Sequence, residues 1–209
     1  MRYPVYESYK DSGVEWLGEV PEHWVIGKVK YVTENLDKKR IPLSAEERGH
    51  QQGEYPYYGA SGIIDHVDNY IFDEDHILFG EDGANLLIRS TPLAFIATGK
   101  YWVNNHAHIL KPLDGLNEFW VMCLENVDIT PFVSGSAQPK LTAESLGNIK
   151  LPFPPNKCER ESIATFLDKE TAKIDTLIEK ATAFANLLKE RRTALISAAV
   201  TGKIDVRKA

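Results

Sequence analysis

The chain has 209 residues, enough for one or two domains with a buried core, and its apolar content of 43% is ordinary for a folded protein. No apolar run approaches the roughly 20 residues that a membrane span needs, and the polar start is unlike a signal peptide, so we expect a cytoplasmic protein with no membrane partner. Residues 1–150 contain 13 Lys and Arg against 22 Asp and Glu, a net of −9, and this balance alone argues against a nucleic-acid partner.

The first 150 residues contain short apolar runs separated by Gly, Asn and Asp turns, as expected of short strands. The runs that predict strands are Trp24–Tyr31, Ile71–Phe79, Leu93–Ala97 and Ala107–Leu110. One helix is predicted at Leu116–Val127. The pattern predicts the α+β class, with a globular domain of mixed or irregular β-sheet and few helices.

Two early segments offer contacts for a polar ligand. Lys38, Lys39 and Arg40 make a three-residue basic cluster in an acidic region, which suits phosphates but is also typical of a solvated loop. In YPYYGASGIIDHV (residues 55–67), the glycines predict a tight turn that exposes Tyr58 and Ser61. Such a turn can approach a phosphate or a base edge, or it can be a plain hairpin.

Two further segments, residues 79–90 and 99–112, are rich in amide side chains. Asn85, Asn104, Asn105 and His106 are of the types that read base edges. The pairs Asp73 and Asp75, and His106 and His108, instead raise the alternative of a metal-dependent hydrolase. Their relative geometry is undefined in the sequence and no HExxH motif accompanies them, so we assign no metal ligands and no catalytic residues.

A polar loop precedes the C-terminal region. It contains Ser134, Ser136, Gln138 and Lys140, and such loops on rigid scaffolds often carry function. A nucleophilic serine is not indicated, because no GxSxG elbow surrounds Ser134 or Ser136.

The prolines of LPFPPN mark a boundary that divides the chain into domains at residues 1–155 and 156–209. Asn156 is a predicted N-cap with Glu159 completing a capping box, and Gly202 is a predicted helix end. Between them a heptad pattern predicts one long coiled-coil helix, although an amphipathic helix packed on its own domain would show similar spacing. The seam consists of Ile163, Leu167, Glu170, Ile174, Leu177, Ala181, Phe184, Leu188, Arg191 and Leu195.

These stretches, in this order, resemble the specificity subunit of type I restriction-modification systems. YKDSGVEWLGEVPEHW is similar to the opening of a target recognition domain, and ILFGEDGANL followed by NNHAHILKP is similar to one class of such domains. SGSAQPKLTAESLGNIKLPFPP and ERESIATFLDKETAKIDTLIEK are similar to the region that follows it. The usual subunit has two recognition domains and two helices, whereas this chain has one of each.

The resemblance implies a chain without catalytic activity that binds double-stranded DNA, reads one part of a bipartite site and scaffolds N6-adenine methyltransferase (modification) subunits. A restriction subunit is a further possible partner. S-adenosylmethionine, Mg²⁺ and ATP are expected only in those partners, so no cofactor is expected here. The alternative to this assembly is a standalone DNA-binding dimer.

The heptads predict how two copies pair. Glu170 and Arg191 interrupt the apolar seam at equal distances from a centre between Lys180 and Ala181. An antiparallel homodimer therefore pairs each Glu170 with Arg191 of the other copy, whereas a parallel dimer pairs like charges. We expect an antiparallel homodimer that reads an inverted repeat.

Overall fold

The computed structural model describes residues 3–135 and 137–208. The chain divides into two units, Met1–Ser162 and Ile163–Ala209. Within the described residues the strands all lie in the first unit, and one long helix begins there and provides most of the second. The expected α+β class, with mixed sheets, few helices and a long C-terminal helix, is confirmed.

The strands of the described residues are β1 (Tyr9–Asp11), β2 (Glu19–Pro21), β3 (Val25–Lys28), β4 (Thr33–Asn35), β5 (Gln52–Gly59), β6 (Gly62–Val67), β7 (Phe72–Asp73), β8 (His76–Gly80), β9 (Ala94–Ala97), β10 (Lys100–Val103), β11 (Ala107–Pro112) and β12 (Lys150–Phe153). The α-helices are α1 (Val29–Val32), α2 (Ala45–His50), α3 (Asn85–Ile88), α4 (Asn117–Glu125), α5 (Ala143–Asn148) and α6 (Lys157–Val200). Short 3-10 helices lie at Asp37–Lys39, Thr130–Phe132 and Val206–Lys208.

Two four-stranded sheets make up the centre of the first unit. One has the order β6-β5-β10-β7 and is mixed, because β10 runs parallel to β5 and antiparallel to β7. The other has the order β4-β11-β8-β9 and is antiparallel. Buried side chains from both sheets form one core cluster: Leu36, Phe72, Leu78, Ala97, Tyr101, Val103, Ala107 and Ile109.

The start and the end of the first unit are joined by a two-stranded ladder. Strands β3 and β12 pair antiparallel, with Lys28 opposite Lys150 and Val25 opposite Phe153. A Cβ on Gly27 would lie 2.8 Å from the Phe153 ring, so glycine is what allows this ring to lie against the strand.

Two of the predicted strands are shorter in the structure. The run Trp24–Tyr31 stays extended only to Lys28, after which α1 begins. Its first residue, Val29, is buried and donates its backbone N–H to the Ile149 carbonyl oxygen at 3.0 Å, so tertiary contacts override the β propensity of this stretch. The run Ile71–Phe79 is divided between β7 and β8.

The long helix begins and ends close to the predicted signals. The Asn156 side chain accepts a hydrogen bond from the Cys158 backbone N–H at 2.9 Å, as an N-cap does. The predicted capping box is not formed, because the Glu159 carboxylate instead accepts hydrogen bonds from Tyr6, His23 and Trp24. At the other end Gly202 has φ +72°, and the Lys203 N–H bonds to the Ala198 carbonyl oxygen.

A search of the described residues finds no helix that is both long and apolar enough to span a membrane.

Candidate nucleic-acid interface

Three loops lie together at one end of the β8–β11 pair: residues 81–85, 104–106 and 134–141 without the undescribed Ser136. Gly80 lies opposite Ala107 in this ladder, so the chain leaves β8 beside the point where it enters β11. The Glu81 N–H donates to the His106 carbonyl oxygen at 2.9 Å, and the Leu141 N–H donates to the Glu81 carbonyl oxygen at 2.8 Å. We call the surface of these three loops the loop face.

Glu81 lies beneath the loop face and is only 8% exposed. Arg40 Nη1 lies 2.6 Å from its Oε2 and Lys140 Nζ lies 3.1 Å from its Oε1. Burial alone would raise the pKa of Glu81, but the hydrogen bond from Arg40, the charge of His108 and the hydrogen bond from Lys140 hold that pKa below its ordinary value. The charged Glu81 therefore holds Arg40 and Lys140 by ion pairs, and its backbone bonds to loops 104–106 and 134–141.

His108 lies under the same loops and is 1% exposed. Its Nδ1 is 2.6 Å from Asp37 Oδ2, and its Nε2 is 2.8 Å from the Leu141 carbonyl oxygen. Burial would raise the pKa of Asp37, yet the hydrogen bond and charge of His108 and the Ile109 N–H lower it. A carbonyl and a carboxylate can only accept, so both ring nitrogens of His108 act as donors.

Asp37, Glu81 and His108 each place one possible ligand atom within 4.8 Å of the others, which raises the question of a metal. A ligating histidine needs a free lone pair, whereas both nitrogens of His108 already face oxygen atoms that accept hydrogen bonds, one of Asp37 and one of Leu141. Arg40 and Lys140 also bring two positive charges to Glu81. The donor set therefore fits an ion-pair network and does not fit a metal ion.

The basic cluster predicted from the sequence is divided by the structure. Lys38 and Lys39 are exposed on the 3-10 helix, and no carboxylate of the described residues pairs with them. Arg40 has a side chain only 15% exposed, and it also donates to the Ala107 carbonyl oxygen at 2.9 Å. Lys38 and Lys39 are thus accessible to a ligand, whereas the Arg40 side chain is largely buried and already bonded to groups of the protein itself.

Asn104 is buried, only 7% exposed, whereas its neighbours Asn105 and His106 are exposed. Its Oδ1 accepts the His106 N–H at 2.8 Å and its own N–H donates to the Tyr58 carbonyl oxygen. The amide nitrogen then lies beside Gly59, where an added Cβ would be 3.5 Å away. Asn105 is exposed, and half-exposed His106 places Nδ1 2.8 Å from Asp82. Asn104 therefore shapes this loop from a buried position, and Asn105 presents the freely exposed amide of the pair.

Asn85 uses its side chain to shape its own loop. Its Oδ1 accepts from the Ser90 hydroxyl and the Thr91 N–H, and its Nδ2 donates to the Thr91 carbonyl oxygen, each at 3.0 Å. These bonds leave little of the amide for an outside partner.

The segment 55–67 forms a hairpin of β5 and β6 with Ser61 exposed at its turn. Tyr58 is half-buried and not exposed as predicted, because its ring packs on Tyr101 with centroids 5.5 Å apart and also contacts Phe95. Of the two residues nominated here, Ser61 faces solvent and Tyr58 supports the core.

The third loop is closed by its own backbone. Ser134 and Lys140 exchange two backbone hydrogen bonds of 2.8 Å, and Gly135 at φ +83° turns the chain between them. The Gln138 side chain is exposed at the loop tip. Ser136, which the sequence also nominates, lies outside the described residues.

The residues of the hydrolase alternative are not brought together. His108 lies opposite Phe79 in the β8–β11 ladder, whereas Asp75 precedes the other end of β8, roughly 13 Å from Phe79 at 3.3 Å per residue, and Asp73 lies in β7. Asp75 instead accepts the Gly99 N–H. Each histidine pairs with a different carboxylate, so no hydrolytic constellation results.

Sequence reasoning missed the acids that hold the interface together: Asp37, Glu81 and Asp82. Their importance comes from partners far along the chain, which no local motif encodes. The available signal was Glu81 itself, a charge placed directly after the apolar run Ile77–Gly80.

Comparison with known proteins adds a family relationship. Residues 21–183 match the family described as type I restriction modification DNA specificity domain. A putative type I restriction enzyme specificity subunit of Haemophilus influenzae is 36% identical over 138 residues, which are 66% of this chain and 34% of that protein. The EcoprrI type I specificity subunit of Escherichia coli is 30% identical over 174 residues, 81% of this chain and 41% of the relative.

The fold is also similar to a solved structure, the S subunit of a type I restriction-modification system from M. genitalium. The TM-score is 0.58 at 17% identity, and the likeness covers 75% of this chain and 41% of that one. The chain thus spans well under half of the length of the relatives it matches.

Proposed function

Since this chain belongs to the family of type I restriction-modification DNA specificity domains, as its sequence motifs indicate, we propose that it reads one part of a bipartite site in double-stranded DNA within such a complex. The membership agrees with the expectation that the chain is not an enzyme, because the matched family is one of specificity domains. The observation that carries the proposal is the loop face, on which segments far apart in sequence present amide side chains above a buried ion-pair network.

The loop face and the 3-10 helix Asp37–Lys39 together supply the two kinds of contact that sequence recognition needs. Asn105, His106 and Gln138 are exposed and polar, and side chains of these types can read base edges in a groove. Lys38 and Lys39, on the neighbouring 3-10 helix, supply positive charge that can contact phosphates. The network of Glu81 and His108 fixes the loops in advance, so that binding need not order them.

The long helix supports the second part of the proposal, a homodimer. Its apolar seam is exposed along the single chain, with Ile174 54%, Leu177 64% and Phe184 61% exposed. Glu170 contacts Lys173 on its own helix, and in the antiparallel pairing it would also face Arg191 of the other copy. Two copies would then carry two recognition domains (residues 1–155 each) at opposite ends of the paired helices (residues 156–209), reading an inverted repeat.

The remaining partners follow from the same proposal. Modification subunits would dock on this scaffold and hold S-adenosylmethionine, and a restriction subunit with Mg²⁺ and ATP would join them. No residue of this chain is assigned to those cofactors.

Methylome sequencing tests the proposal. A host should be transformed with the genes for this chain and for a cognate N6-adenine methyltransferase (modification) subunit, with each gene alone, and with neither. N6-methyladenine should appear in a two-part motif only when both are present. Methyl transfer by the purified chain alone, or no new motif with both genes, would contradict the proposal, while sequence-specific binding without any methylation would favour the standalone dimer.

A further inference from the structure

A second basic cluster lies outside the loop face and is invisible in the sequence. Lys28 and Lys30 place their Nζ atoms 3.1 Å and 3.0 Å from a single oxygen, Asn148 Oδ1. Lys150 lies directly opposite Lys28 in the β3–β12 ladder. We call these three lysines with Asn148 the lysine patch.

The lysine patch is built by the backbone and not by chance side-chain positions. The β3–β12 ladder fixes Lys28 against Lys150. The Val29 N–H bonds to the Ile149 carbonyl oxygen at 3.0 Å, which pins α1 to the end of α5. Gly147 allows close approach of the Lys30 stem, since a Cβ there would lie 3.3 Å from Lys30 Cβ.

Among the described residues, the lysine patch gathers positive charge that no carboxylate neutralises, whereas the arginines of this unit are neutralised. Each arginine that the structure describes in this unit is ion-paired: Arg40, Arg48, Arg89 and Arg160. By contrast, none of the three lysines has a carboxylate of the described residues within ion-pair distance, and Lys30 and Lys150 are exposed. Two like charges on one neutral oxygen repel each other unless an anion joins them.

We propose that the lysine patch binds the phosphodiester backbone of DNA, as a contact separate from the base-reading loop face. Lysine ammonium groups are strong phosphate ligands, and the way that Lys28 and Lys30 converge on one oxygen is the arrangement a non-bridging phosphate oxygen would accept. This inference rests on the proposed function, because it takes the loop face as the place where DNA lies.

The position of the patch favours DNA over an acidic protein surface. Helix α5 connects the two sites, since it begins just after Leu141 of the loop face and ends at Asn148. Six helical residues span roughly 9 Å, which is about three base pairs along a duplex. A strand whose bases meet the loop face therefore has phosphates within reach of the lysine patch.

The test is the salt dependence of DNA binding by the full chain assembled with its modification subunit. The triple variant Lys28→Gln, Lys30→Gln and Lys150→Gln is compared with wild type by fluorescence anisotropy on duplexes of unrelated sequence, over about 50–300 mM salt. The slope of log affinity against log salt should become shallower by about 1 for each lysine lost, by the same amount for every duplex.

A matched control removes the same charge elsewhere, at the exposed lysines Lys100, Lys169 and Lys189, also changed to Gln, and should leave the slope within about 1 of wild type. A triple variant with a wild-type slope overturns the phosphate assignment. A triple variant that keeps the wild-type slope but no longer binds the modification subunit would also overturn it, because the lysine patch would then be a contact surface for that subunit. If the wild-type complex showed no sequence preference at all, the proposed function would be contradicted. The comparison of salt slopes on unrelated duplexes would still decide whether the lysine patch binds phosphates.

Discussion

His108 donates from Nε2 to the backbone carbonyl oxygen of Leu141 at 2.8 Å, which ties strand β11 to the loop that carries Gln138 and Lys140. The residue is buried and its other nitrogen bonds Asp37. Replacing His108 with Leu should lower the free energy of unfolding by about 3–5 kcal/mol, because a buried carboxylate loses its partner. His106→Ala is the matched control and should cost under about 1 kcal/mol, since its pair with Asp82 is half-exposed. Equal losses in urea unfolding would contradict this assignment.

The network should also set the acid limit of stability. Asp37 and Glu81 have pKa values lowered from ordinary values of 3.8 and 4.5, so the folded state holds their protons less tightly than the unfolded chain does. The stability they contribute is present above those ordinary values and is lost as the pH falls below them. Unfolding free energy should therefore decline below about pH 4.5, and less steeply in Glu81→Gln. Parallel curves for wild type and variant would show that Glu81 does not contribute.

Substitution of Lys38 and Lys39 should affect DNA binding, whereas substitution of Arg40 should affect the stability of the fold. The double variant Lys38→Ala and Lys39→Ala should keep the wild-type unfolding midpoint and weaken binding to every duplex alike, with a salt slope shallower by up to about 2. Arg40→Ala should destabilise the fold instead, because it leaves Glu81 with one partner fewer in a buried position. A lowered midpoint in the lysine variant, or a wild-type midpoint in Arg40→Ala, would reverse the two roles.

Replacing the amide of Asn104 with a carboxylate tests whether this side chain contacts a base. Asn104→Asp keeps the oxygen that accepts the His106 N–H and replaces the amide donor beside Gly59 with an acceptor. If the donor reads a base, the preferred sequence should change at one position, at a cost of about 1–3 kcal/mol for the original base. Asn105→Ala and Gln138→Ala should alter preference at other positions. An unchanged methylation motif in Asn104→Asp would restrict this residue to a structural role.

The helix pairing predicts a charge-swap result. Arg191→Glu should weaken the homodimer, because each Glu170 would then meet a like charge in the antiparallel register, and adding Glu170→Arg should restore it. Light scattering across micromolar concentrations measures the effect. A wild-type chain that remains monomeric, or a double variant no better than the single one, would contradict the antiparallel model.

Local signals predicted the parts of this fold that are determined locally. The heptads and Gly202 placed the long helix, which the structure shows over Lys157–Val200, and the apolar runs placed β8, β9 and β11. They failed where distant contacts decide. The spacing of Glu159 from Asn156 predicts a capping box, yet the Glu159 carboxylate is hydrogen-bonded to the side chains of Tyr6, His23 and Trp24 instead. The neighbours Lys39 and Arg40 look equivalent in sequence, and they are distinguished by the contacts of Arg40 with the buried Glu81 and the Ala107 carbonyl oxygen.

The pairing of β3 with β12 has a consequence for how such a chain can evolve. Because Lys28 lies opposite Lys150, the polypeptide enters and leaves the intervening segment through adjacent strands. A different segment whose ends meet the same two strands can take the place of residues 29–149 if it also supplies a partner for Arg160 near the start of α6, which here pairs with Asp114 at 3.0 Å. Under the proposed function, one exchange of coding sequence between these two points would transfer the loop face as a whole to an existing α6, so that new specificity would arise in a single recombination step.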